Sequence, residues 1–255
     1  MKTMQQAVTW DPNFETAVLQ FQERALAAQV KVASLHPIDK DLFVSQLREQ
    51  MMSFYTDVQK GYEVLVTTVY DLNAAGVGLG GMAPTGKKSM KAVKHLFPSQ
   101  EAIDQFSQEE FLDTWVADGT PLYQIFKLST QAMATMYDAA CYLLKENRDE
   151  EARTAFRLLL VLAPHMADFW IGYGVVLIRL GRYEEAIGGL EQAISLNPLS
   201  DEALLLLCRS LAELNRRSEA ESRLTARIDE VAQRGERGRY DLLQAARNEL
   251  AQFHK

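Results

Sequence analysis

Pro164 and Pro198 stand 34 residues apart, and Ala152, Ala186 and Ala220 repeat the same interval twice. A period of this length constrains the fold more tightly than composition does. One unit is too short to bury its own apolar face, so successive units must stack on one another. The middle unit, ADFWIGYGVVLIRLGRYEEAIGGLEQAISLNP, begins at Ala167. It carries Trp170, Tyr173, Gly174, Leu177, Gly181, Tyr183, Ala186, Leu190, Ala193 and Pro198 at repeat positions 4, 7, 8, 11, 15, 17, 20, 24, 27 and 32. Gly174 and Ala186 are small where two helices must cross closely. Trp170, Leu177 and Leu190 lie on helix-spaced faces between helices. Gly181 suits the left-handed residue that ends a first helix, and Pro198 suits the start of the next unit.

This is the tetratricopeptide pattern. The unit from Met133 to Pro164 keeps Met136, Ala139, Ala140, Leu143, Ala152, Phe156 and Leu159 in register. The unit from Asp201 keeps Leu204, Leu207, Cys208, Leu211, Ala220 and Leu224, with Ala232 where proline is expected. Erosion of the pattern in a terminal repeat is normal, because its outer face meets a cap. In residues 239–253, Tyr240, Leu243, Ala246, Leu250 and Phe253 recur at helical spacing. The expected fold is therefore all-α: three repeats near 133–166, 167–200 and 201–234 form a helical solenoid with a capping helix, preceded by an N-terminal helical region.

Within that N-terminal region, residues 15–35 read as a helix ended by His36-Pro37. A second helical pattern runs from Asp41 to about Leu72. VLVTTVY at 64–70 is β-branched, but no partner strand is evident, so it stays helical. The expected organisation is a helical hairpin over 1–75, a glycine-rich basic linker with a short helix over 76–106, and the repeat domain over 107–255.

The formal charge of −7 argues against nucleic acid or anionic membrane as a general partner. No apolar stretch reaches membrane length, and the N-terminus lacks the apolar core of a signal peptide. Two cysteines, Cys141 and Cys208, give no disulfide framework, which fits a reducing cytoplasmic setting.

The order of features before and within the repeats resembles the class II chaperones of bacterial type III secretion, which serve translocator proteins. A short helix (Glu109 to Val116), a break at Gly119 and a second short helix lead into the first repeat. That repeat ends in LLLVLAPH directly before ADFWIGYG. The similarity covers roughly residues 107–225. The hundred residues before it depart from the family, whose members carry a short arm there. The resemblance implies a bacterial cytoplasmic chaperone that holds a hydrophobic, secreted translocator-like client in a partly unfolded state. It also implies a client segment held in the concave groove, and a homodimer formed through N-terminal helices.

First helices line the concave face of such a solenoid through repeat positions 2, 5, 9 and 12. These positions are Ala134, Tyr137, Cys141 and Leu144, then Asp168, Ile171, Val175 and Ile178, then Glu202, Leu205, Arg209 and Ala212. The candidate client-binding groove is Tyr137, Cys141, Leu144, Asp168, Ile171, Val175, Ile178, Leu205 and Arg209. Its apolar strip fits an extended peptide, with the charged residues fixing ends and register. The alternative is that the strip is covered by the chain's own helices.

Enzyme chemistry finds little support. Gly81 and Gly86-Lys87 match the spacing of a phosphate loop, but Lys88 stands where Ser or Thr should hold magnesium. No histidine has a Cys or carboxylate at metal-ligand spacing, so no cofactor or metal is expected. Two non-enzymatic readings stay open: the chaperone, and an adaptor or regulator that docks a folded component of a secretion assembly.

Overall fold

The computed structural model describes residues 59–87, 93–97 and 121–252. The expected helices at 15–35 and Glu109–Val116, and most of Asp41–Leu72, lie outside the described residues. Residues 59–74 are helical (α1), and Lys94–Leu96 form a 3-10 turn. There follow α2 (Leu122–Ile125), α3 (Thr130–Lys145), α4 (Asp149–Leu162), α5 (Ala167–Arg179), α6 (Tyr183–Leu196), α7 (Asp201–Glu213), α8 (Arg217–Gln233) and α9 (Arg237–Gln252). The described chain is all-α, and its helices pack in sequence as tetratricopeptide repeats.

Two compact units divide the chain. Among the described residues, one runs to Tyr142 and takes in Arg157–Ala163; the other holds Leu143–Phe156 and everything from Pro164. In the first unit, the β-branched run 64–70 is helical, as expected. Thr68 returns its hydroxyl to the carbonyl of Val64 at 2.8 Å, which settles a side chain that otherwise competes with the helix. Leu65, Val66 and Val69 are buried. Tyr62 stacks on Phe97 with ring centroids 6.4 Å apart, and burial pushes its phenol well above the usual range.

In the second unit each helix from α5 onward packs on the next, and α7 also touches α5 and α9. Leu177, Ala186, Leu190, Leu207 and Leu211 are fully buried in one cluster that continues through Ala220, Leu224 and Val231 to Leu243 and Leu250. Gly174 is needed where α5 meets α6: a Cβ there would come within 2.8 Å of two Leu190 side-chain carbons. Gly172 makes a similar approach to the preceding repeat, where a Cβ would stand 2.2 Å from the Phe156 ring.

The turns within repeats share one geometry. Asn147, Gly181 and Asn215 all have positive φ (59°, 72° and 59°), and each is 34 residues from the next. After each, the arginine N–H bonds back to a leucine carbonyl: Arg148 to Leu143, Arg182 to Leu177 and Arg216 to Leu211, at 2.8–2.9 Å. That closes the first helix with its carbonyls satisfied. The same arginines then pair with Glu151, Glu185 and Glu219 in the first turn of the second helix, where a carboxylate also favours the helix dipole.

Candidate functional site

Nine residues were expected to face a client, and they fall in both compact units. Tyr137 and Cys141 belong to the first. Both lie on α3 and are half-buried. Burial raises the Cys141 thiol above its ordinary range; a hydrogen bond with Tyr137 opposes the rise and the nearby charge of Asp138 adds to it.

The remaining seven lie in the second unit. Asp168 and Arg209 are exposed, and Val175, Leu205 and Leu144 are half-buried. Leu144 also serves the turn, since its carbonyl accepts from Arg179 Nη1 at 2.7 Å. Arg179 further bonds Asn147 Oδ1 and pairs with Asp149 at 3.0 Å, clamping the end of α5 to the preceding turn.

Ile171 and Ile178 take a different place from that of open groove residues. They are only 8% and 7% exposed. Ile171 packs with Ala193 and Ala203, flanked by Trp170, Ile194 and Leu206. Ile178 joins the main core beside Leu204, Leu207 and Cys208. Ala193 on α6 and Ala203 on α7 are small where those helices close over Ile171. Of the expected apolar groove positions on α5 and α7, Val175 and Leu205 are the ones left partly accessible, and Asp168, Glu202 and Arg209 on the same helices are exposed.

Burial pushes the Cys208 thiol up to about 12, with Arg223 pulling the other way, so it is a neutral thiol at physiological pH. Its Sγ donates to the Ala220 carbonyl at 3.5 Å, and its role is packing. Among the described residues, no group of His, Cys, Asp and Glu has the arrangement of a metal site. The glycine stretch that resembles a phosphate loop follows the helix α1, where such a loop requires a strand. The nearby cleft between Val69, Asn73, Leu79, Pro84 and Thr135 holds about 20 Å³, room for a water. Among the described residues, no helix is long and apolar enough to cross a membrane.

Residues 137–200 and 177–247 each match the tetratricopeptide repeat family. No curated protein matches the chain. Among solved structures, a type III secretion system complex from Aeromonas hydrophila is similar at 19% identity and TM-score 0.50, over 56% of this chain and 97% of that one. The type III secretion translocator chaperone SycD of Yersinia enterocolitica is similar at 20% identity and TM-score 0.47, over 53% of this chain and 99% of that one. A chain of the CopN–Scc3 complex is similar at 18% identity and TM-score 0.45, over 53% and 76% of the two chains. Residues 137–247 are thus tetratricopeptide repeats, similar in fold to a chain of the Aeromonas complex.

Proposed function

We propose that this protein is a cytoplasmic type III secretion chaperone that binds an extended segment of a hydrophobic, secreted translocator-like protein on its first helices. It acts by binding and not by catalysis. The observation that carries this reading is that Val175 on α5 and Leu205 on α7 remain half-buried, while Asp168, Glu202 and Arg209 on the same two helices are exposed. Apolar side chains left accessible on a repeat face mark an interaction surface. The charges supply register for a peptide laid along it. In the other unit, Tyr137 and Cys141 on α3 are proposed as a further foothold. Two further supports are the order of features over residues 107–225 and the fold shared with a component of the Aeromonas complex.

The test is an affinity capture of the full-length protein from its native cells, with and without Val175→Glu and Leu205→Glu. Recovery of one hydrophobic secreted protein by the parent, lost in both variants at unchanged helix content, is the expected result. Burying a charge against an apolar client segment costs enough to reduce binding by about tenfold or more. Unchanged recovery in both variants would remove this face as the client site. Recovery of a folded soluble partner instead would favour an adaptor.

A further inference from the structure

Residues 77–86 lie within the stretch read as a glycine-rich basic linker, and the backbone there is fastened at two places within the first unit. On one side stands Asn73, near the end of α1 and 9% exposed. Its side-chain carbonyl accepts from the Thr85 N–H at 2.9 Å, and its amide donates to Thr85 Oγ1 at 2.8 Å and to the Lys87 carbonyl at 3.1 Å. Its backbone carbonyl accepts from the Gly86 N–H at 3.1 Å. On the other side the segment meets α3. The Gly80 N–H donates to Asp138 Oδ2 at 2.7 Å. A Cβ on Gly80 would stand 2.4 Å from Thr135 Oγ1, 2.7 Å from its backbone nitrogen and 2.9 Å from its Cα. Gly80 also has φ +58°, so only glycine fits both the turn and the approach.

The two fastenings differ in kind. The Asn73 side is a set of mutually supporting, partly buried bonds. The α3 side is one exposed hydrogen bond over a close backbone contact. The α3 side is therefore the weaker of the two fastenings. The acceptor on α3 is also specific: Asp138 follows Tyr137 directly in sequence and lies one helical turn from Cys141, the two residues proposed as a client foothold. A carboxylate accepting a backbone N–H at this spot makes the contact an extended peptide would make there.

We propose that residues 77–86 form a displaceable strap, anchored on Asn73, that occupies Asp138 in place of a client backbone and lifts from α3 when a client binds beside it at Tyr137 and Cys141. The proposal rests on the reading of Tyr137 and Cys141 as client-facing. Gly80→Ala forces the strap off Thr135 and leaves Asp138 free, whereas Asp138→Ala releases the strap and also removes the acceptor.

The experiment uses the full-length chain and two readouts. Hydrogen exchange of residues 77–86, followed by mass spectrometry, reports the strap itself. A short fluorescein-labelled peptide of alternating Leu and Ser reports the foothold. Gly80→Ala is expected to speed exchange and tighten the peptide, each by about tenfold, the scale of one hydrogen bond to a charged group. Asp138→Ala is expected to speed exchange equally but weaken the peptide. Unchanged exchange in Gly80→Ala overturns the strap. Faster exchange with unchanged peptide affinity also overturns it, and if Tyr137→Glu still abolishes the peptide, the client reading survives. A peptide that binds no form of the protein, with no effect of Tyr137→Glu, removes the foothold reading and the strap with it.

Discussion

In the second repeat, Gly172 and Gly174 let α5 press against Phe156 and Leu190 so closely that an added methyl would overlap both. In the third repeat, α8 buries Ala220, Leu224, Ile228 and Val231 along one edge, and charged residues of both signs occupy its other sides. Arg223 reaches Glu191 and Glu219, Arg234 reaches Glu230, and Arg239 on α9 grips Asp201 with two hydrogen bonds of 2.6 and 2.8 Å. The same turn geometry and the same arginine–glutamate clamp recur in both repeats, so the backbone plan is common to them. What differs is what covers each. The second repeat is specified by close shape packing; the third lies between the second repeat and the single helix α9, and adds a solvated ionic frame to its apolar edge.

If that contrast is right, truncating equivalent leucines should hurt unequally. Leu190→Ala is expected near the upper part of the range of about 2–5 kcal/mol for such changes, because rigid neighbours cannot close the cavity. Leu224→Ala, under a helix free to shift inward, is expected near the lower part. Urea unfolding followed by circular dichroism measures both. Equal losses would mean the third repeat is packed as rigidly as the second.

A second, smaller effect probes shape directly. Gly172→Ala places a methyl into the Phe156 ring and is expected to cost about 1–3 kcal/mol by overpacking. Phe156→Leu removes the ring edge that the methyl meets, so the double variant should recover part of the loss in a mutant cycle. Strictly additive losses would place the strain elsewhere than at this contact.

Much of this was legible in the sequence. The 34-residue period located the repeats, and Gly181 ended its helix in the left-handed conformation expected of it. Asn147 and Asn215 occupy the same register but escaped notice, because the motif is written with glycine while asparagine tolerates that conformation too. Arg148, Arg182 and Arg216 with their glutamate partners repeat just as regularly, but attention to apolar positions passes over them. Gly172 was not legible, since its reason lies on Phe156 of the preceding repeat. The concave positions were read from periodicity, which gives the direction of a side chain and not how far a neighbouring helix reaches across it. Ile171 and Ile178 are buried for that reason. The docking of Gly80 on Thr135, 55 residues away, likewise leaves no trace in local pattern.

The smallest effect concerns acid. Glu219 accepts from Arg216 at 2.6 and 3.1 Å and from Arg223 at 3.2 Å. Those contacts, with Arg216 the larger, hold its carboxyl below the ordinary value of 4.5 despite an opposing contribution from desolvation. A depressed folded-state value means the stabilisation is present above the ordinary carboxylate range and is lost as pH falls through and below it. Glu185, at the same register of the second repeat, is bonded by Arg182 within its own turn and lies beside the shape-packed α5–α6 pair. Mild acid should therefore loosen α8 before α6, and Glu219→Gln should flatten that dependence while Glu185→Gln leaves it in place. Hydrogen exchange of the two helices between neutral pH and about pH 4 would read the order, after correction for the intrinsic pH dependence of exchange. Because the clamp is exposed, raising the salt should shrink the difference; a difference that survived high salt would place its origin in packing and not in the ionic frame.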